Sequence, residues 1–199
     1  TKYREASAAA VEKCADDTKG QTCFICMEGI HPETNEGLVR GCSCRGTAGF
    51  AHVSCLARQA QVAVERADTG WDRWHTCGLC EQDYHGVVRC ALGWACWKTY
   101  VGRPETDQVR GMAMNLLGLG LSEAGHNEDA LSVQQADLAT LRRIGATEPS
   151  LLDVQCNLAI TYEALGRFEA ALRLKQDVYS GRLRLNGEEH RLTFLPANN

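Results

Sequence analysis

The spacing of eight residues constrains this chain more than any other feature. Cys23 and Cys26 form a C-x2-C pair; Cys42 and Cys44 a C-x-C pair; His52 and Cys55 an H-x2-C pair; Cys77 and Cys80 a second C-x2-C pair. Four close pairs of soft donors thus fall within residues 23–80. Zinc takes four thiolate or imidazole donors in a tetrahedron, and a C-x2-C turn aims two thiolates at one ion. Four pairs therefore predict two closed sites with no open coordination position. Closed sites are structural, so two structural Zn2+ ions are expected, and the metal itself is not expected to do chemistry.

The competing reading is a disulfide framework, since the chain has eleven cysteines. Pairing by C-x2-C with an interleaved histidine reads instead as a metal site. The start, TKYREASAAAVEKC, lacks the charged region and apolar core of a secretory signal. A reducing, intracellular location, cytoplasmic or nuclear, is the expectation. The formal net charge is −4. Seven thiolates add seven negative charges and two zinc ions return four positive ones, giving about −7. That disfavours nucleic acid as a partner, because affinity for it comes mainly from Lys and Arg at phosphates. The most apolar stretch, GVVRCALGWACWKTYVG, is shorter than the roughly 20 residues a span needs and carries Arg89 and Lys98, so no membrane span is expected.

The order of donors narrows the module. Cysteine in the fourth place and histidine in the fifth is the order shared by RING-CH and PHD domains. One residue between the third and fourth donors, and seven before the histidine, favour the former. The segment Cys42-Ser43-Cys44-Arg45-Gly46-Thr47-Ala48-Gly49-Phe50-Ala51-His52-Val53-Ser54-Cys55-Leu56 resembles the RING-CH pattern, and the resemblance covers residues 22 to about 85. It implies a small α+β, zinc-stabilised cross-brace. Cys23, Cys26, His52 and Cys55 would hold one zinc, and Cys42, Cys44, Cys77 and Cys80 the other. A helix should begin near His52 and run through VSCLARQAQVAVERA, with Val53, Leu56, Ala60 and Val64 on one face. His31, His75 and His85 are surplus to the eight donors, and Cys14, Cys90, Cys96 and Cys156 have no neighbour at donor spacing.

RING-CH domains are ubiquitin ligases that position a charged ubiquitin-conjugating enzyme for attack by a substrate amine. The resemblance therefore implies a ubiquitin-conjugating enzyme and ubiquitin as partners. It places the conjugating-enzyme docking groove at Ile25 and Leu79, with Trp71 and Trp74 as further candidates. Two departures favour a non-catalytic zinc-binding interaction scaffold instead. Glu81 follows the last donor, where many active RINGs carry a cation. Gln59 stands where many RING-CH members carry tryptophan.

After about residue 105 the chain changes character, and Leu and Ala dominate. Compared with itself at an offset of 41 residues, LGLGLSEAG (117–125) lies over LAITYEALG (158–166). Glu128, Ala130 and Leu131 then lie over Glu169, Ala171 and Leu172. A period near 40 with paired amphipathic helices is a helical repeat. The second unit resembles the tetratricopeptide repeat of the kinesin-light-chain type, which implies a protein or peptide ligand in a groove lined by Asn115, Asn157 and Tyr162. Gly125 and Gly166 should end the first helix of each pair.

The expected organisation is a flexible N-terminal lead at 1–20, opening with a weak Ala-rich helix through SAAAVEK, and a RING-CH zinc finger at 21–85. A connecting amphipathic helix and linker follows at 86–104, with Val87, Ala91, Trp94, Lys98 and Val101 on one face. An all-α tetratricopeptide-like array occupies 105–199, with units at about 110–149 and 151–191 and the start of a third at Asn198. The start at Thr1 and the stop within that third unit read as a piece of a longer protein.

Overall fold

The computed structural model describes residues 2–66 and 70–187. The chain divides into two compact units, 1–102 and 103–199. The expected third repeat at Asn198 lies outside the described residues.

The first unit is built from three helices around a metal-ligand-rich core: α1 (Lys2–Cys14), α2 (Val53–Arg66) and α3 (Gly86–Tyr100), with a 3-10 turn at Gly70–Trp74. Among the described residues, its β structure is limited to two isolated antiparallel bridges, Val39–Ala51 and Thr76–Asp83. The α+β expectation thus reduces to two contacts, because the segments meet through knuckles and turns and not through ladders.

Two of the expected boundaries change. Residues 2–14, expected as a weak helix leading into a flexible segment, are a helix that packs on α3 and buries Ser7, Ala10 and Cys14, so they belong to the unit and not to a lead. Residues 86–100, expected as a connector, are the central helix of this unit. Val88, Cys90, Ala91, Leu92, Ala95, Cys96 and Tyr100 are all buried. Helix α3 packs on α1, on α2 and on the 3-10 turn, so its apolar residues are distributed around it. Hence it does not present the single face through Val87, Ala91, Trp94, Lys98 and Val101. Lys98 and Val101 are exposed. Tyr84, Val88, Ala91 and Leu92 share one apolar core with Cys23, Cys42, Cys55 and Cys77. At Gly41, next to a donor cysteine, a Cβ would lie 2.4 Å from Cβ of Val88. That approach lets α3 reach the cysteine-bearing loop, and only glycine fits there.

The second unit is two helical hairpins: α4 (Gln108–Glu123) with α5 (Asn127–Arg143), then α6 (Glu148–Ala164) with α7 (Phe168–Asn186). The 41-residue register holds at atomic detail. Gly125 and Gly166 have φ of 82° and 71°, the left-handed conformation that favours glycine after a helix. The amide of His126 donates to the carbonyl of Leu121 at 2.9 Å, and that of Arg167 to Tyr162 at 2.8 Å. Arg143 pairs with Glu105, and Arg184, 41 residues on, with Glu148. Asp107 caps α4 by accepting from the Val109 amide at 2.8 Å, satisfying an otherwise orphaned helix donor. Between the hairpins, Leu131 and Leu138 of α5 and Val154 and Leu158 of α6 form the core. Asn157 donates to Asn115 at 3.3 Å, and Gln135 to the Tyr162 hydroxyl at 3.1 Å. The two asparagines thus join the first helices of neighbouring hairpins. Among the described residues, no helix is long and apolar enough to cross a membrane.

Candidate metal centres

Each C-x2-C pair sits in a knuckle, and the two knuckles are built alike. The Met27 amide donates to the Cys23 carbonyl at 2.9 Å, and the Glu81 amide to that of Cys77 at 3.0 Å. The Cys23 amide donates to Glu28, and the Cys77 amide to Gln82. The amides of Ile25 and Leu79 lie 3.4 and 3.5 Å from the sulfurs of Cys23 and Cys77. Met27 and Glu81 both have positive φ, 67° and 56°. The turn that follows each second cysteine folds its sulfur back beside the first.

The knuckles and the middle donors interleave. Donor atoms of Cys23, Cys26, His52 and Cys55 lie within 4.8 Å of one another, as do those of Cys42, Cys44, Cys77 and Cys80. All eleven cysteines are free of disulfides. The spacings within each cluster discriminate further. Zinc bonds of about 2.3 Å to sulfur and about 2.0 Å to nitrogen set tetrahedral edges of about 3.5 Å (S to N) and about 3.8 Å (S to S). His52 Nδ1 lies 3.4 Å from the sulfur of Cys26 and 3.6 Å from that of Cys55. The sulfurs of Cys44 and Cys77 are 3.9 Å apart. Both clusters fit a zinc ion, and Nδ1 is the histidine atom that faces the other donors.

Electrostatics suit the same role. Burial lowers the pKa of His52, which favours the neutral imidazole that ligates metal. Burial raises the thiols of Cys42 and Cys55, and that of Cys44 to about 11. Cys80 is lowered to about 7, chiefly by the backbone hydrogen bond from Gln82. At Cys23 burial works upward, but backbone donors from Cys26, Ile25 and His52 outweigh it and lower the thiol. Thiols held above their ordinary range side by side are protonated unless a cation joins them, so metal binding here releases protons.

The loop through the second cluster depends on Gly49. Its φ is 84°, and a Cβ there would lie 2.6 Å from Cβ of Cys44 and 3.1 Å from the Cys42 sulfur. Two residues absent from the sequence reading hold this frame. Arg40 stacks over Phe50 at 4.4 Å, donates to the Gly46 carbonyl at 2.9 Å and pairs with Asp17 at 2.6 Å. Glu36 accepts from the Ser54 amide at 3.1 Å and from the Ser7 hydroxyl. His52 precedes α2 and turns its imidazole into the donor cluster, so Glu36 supplies the carboxylate at that helix's start. No spacing rule in the sequence marks either residue; both act across loops.

The surplus histidines stand outside the clusters. His31 meets His52 edge-on at 5.2 Å, His75 lies between Asp72 and Asp83, and His85 precedes α3. Of the candidate docking residues, Leu79 is 51% exposed and Ile25 is half-buried against the core. Trp74 is fully buried, edge-on to Tyr100 at 5.8 Å. It belongs to the packing of α3 and cannot line a surface groove, contrary to the expectation. Trp71 packs on the same tyrosine.

Nothing matches among curated proteins or among solved structures. Family models match twice: the RING-variant domain over residues 23–80, the first to last donor, and a tetratricopeptide repeat over residues 151–192, which takes in most of α6 and α7. The chain therefore joins a RING-variant domain to a tetratricopeptide repeat region.

Proposed function

We propose that this chain is a RING-CH-type ubiquitin ligase. Its zinc module would dock a charged ubiquitin-conjugating enzyme, and its helical repeats would recruit substrate or an adaptor. Two structural zinc ions would be held by the two clusters, giving a module with too little apolar core of its own a source of stability on the order of 10 kcal/mol per site. The ions would do no chemistry; the ligase would act by orienting the thioester and excluding unproductive poses. Reduced thiols would confine the protein to the cytosol or nucleus.

The observation that carries the reading is the equivalence of Ile25 and Leu79. Each occupies the place before the second cysteine of its knuckle, and Leu79 keeps half its surface open to a partner. A non-catalytic scaffold is the second reading, favoured by Glu81. That exposed carboxylate sits directly after the last donor, where it would oppose rather than bridge an anionic partner surface.

An autoubiquitination assay with a panel of conjugating enzymes tests the proposal. The ligase reading expects chains from the zinc-loaded wild type and their loss in Ile25→Ala. A folded protein holding two zinc ions that makes no chains with any enzyme sinks it in favour of the scaffold.

A further inference from the structure

The chain carries its positive charge mostly as arginine. Of its 21 cationic side chains, five are lysine: Lys2, Lys13, Lys19, Lys98 and Lys175. None falls within residues 20–97, the stretch that holds both donor clusters. The cations there are Arg40, Arg45, Arg58, Arg66, Arg73 and Arg89. The difference is chemical. A lysine amine can lose its proton and attack a carbonyl, whereas a guanidinium stays charged and does not. The stretch that would dock a thioester-charged enzyme through Ile25 and Leu79 therefore offers that thioester no nucleophilic amine of its own.

The five lysines differ in what holds them. Lys175 pairs with Glu163 at 2.7 Å, and its side chain is 13% exposed. Lys98 lays its ammonium over the Tyr3 ring at 4.9 Å, against the cavity between α1 and the loop at 33–37. Lys2 and Lys13 are exposed on α1. Lys19 is 77% exposed and its partner Asp16 is 99% exposed, so solvent screens the pair and the amine is held weakly. The segment bearing Lys13 and Lys19 is nonetheless fixed to the zinc module. The Cys14 sulfur lies 3.7 Å from the Arg40 carbonyl, and Asp17 pairs with the Arg40 guanidinium. Arg40 also donates to Gly46, in the loop of the second cluster.

We propose that Lys2, Lys13 and Lys19 are the acceptor amines when this chain ubiquitinates itself, an inference that rests on the ligase reading. In each transfer the neutral ε-amine attacks the thioester carbonyl. A C–N bond forms and the C–S bond breaks. The sulfur leaves with the electron pair on the conjugating enzyme, and the amine gives up its proton to solvent, leaving an isopeptide. Ubiquitin thus accumulates on α1 and the turn after it, and not on the repeats.

The test uses the full zinc-loaded chain with a conjugating enzyme and ubiquitin, and it takes two readings. One is discharge of ubiquitin to free lysine; the other is ubiquitin on the chain itself, mapped by mass spectrometry of tryptic peptides. Arginine replacements keep both charge and helix propensity. The triple variant Lys2→Arg, Lys13→Arg, Lys19→Arg should lose self-modification while discharge to free lysine keeps the wild-type rate. The double variant Lys98→Arg, Lys175→Arg should be modified as wild type is. Three results would overturn the assignment. They are a triple variant modified to the wild-type extent, ubiquitin mapped chiefly to Lys98 or Lys175, or a wild type that accelerates discharge yet carries no ubiquitin. A wild type that does not accelerate discharge is a separate failure: it sinks the ligase reading, and this assignment with it.

Discussion

Arg40 shows how a single side chain ties the metal frame together. Its guanidinium touches the ring of Phe50, the carbonyl of Gly46 and the carboxylate of Asp17. Phe50 in turn accepts from the Phe24 amide at 2.9 Å, which belongs to the first knuckle, while Gly46 lies in the loop of the second cluster. Arg40→Ala removes a partly buried cation–π contact and a charge-assisted hydrogen bond, together about 1–3 kcal/mol. The expected outcome is faster zinc release to a chromogenic chelator, with Asp17→Ala showing a smaller effect. Equal release rates for Arg40→Ala and wild type would remove Arg40 from the frame. Asp137 makes a second residue-scale case. It is buried in α5, and that burial raises its pKa from 3.8 to about 6. A carboxyl raised on folding is protonated more readily in the native state. Its penalty is therefore absent near pH 4, grows as the unfolded state ionises first, and is complete above pH 6. The full effect is on the order of 3 kcal/mol. The melting temperature of Asp137→Asn should exceed that of wild type by a margin that widens from pH 4 to pH 6 and then levels. A margin independent of pH would contradict the assignment.

Among the elements, some were readable from sequence and others were not, for identifiable reasons. Donor spacing identified all eight cluster residues, because a metal cluster is assembled from short local pairs. Helix α2 was readable because its apolar residues recur on one face. The hairpins were readable because the 41-residue register repeats the turn glycines and the small contact residues together. Helix α3 was not. Buried on several sides, it carries apolar residues all round, and periodicity then gives no single face. Helix α1 was readable only as a weak helix, and its docking on α3 was not, because Ala10 and Cys14 are small and leave little apolar contrast along its length. Trp74 was misassigned because proximity to Cys77 in sequence says nothing about which way an indole points. Arg40 and Glu36 act between loops remote in sequence, where no periodicity reaches. Asn115 and Asn157, both expected to line a ligand groove, are joined to each other by a hydrogen bond that no sequence pattern marks.

For the whole molecule, the division into two units separates their sources of stability. The first has a core interlaced with donor cysteines, whereas the second is held by leucine packing and repeated ion pairs. Chelation at neutral pH should therefore unfold α1–α3 and leave the helical signal of α4–α7, read by circular dichroism and hydrogen exchange. Simultaneous loss of both would show that the second unit depends on metal as well. The central claim is that the zinc module acts on a charged conjugating enzyme through its exposed knuckle. The most direct measurement is single-turnover discharge of ubiquitin from such an enzyme to free lysine, which needs no substrate protein. Wild type holding two zinc ions should accelerate discharge. Leu79→Ala, exposed and outside the donor set, should keep both ions and lose roughly tenfold of that acceleration. Discharge that wild type does not accelerate, or that Leu79→Ala accelerates equally, would contradict the account.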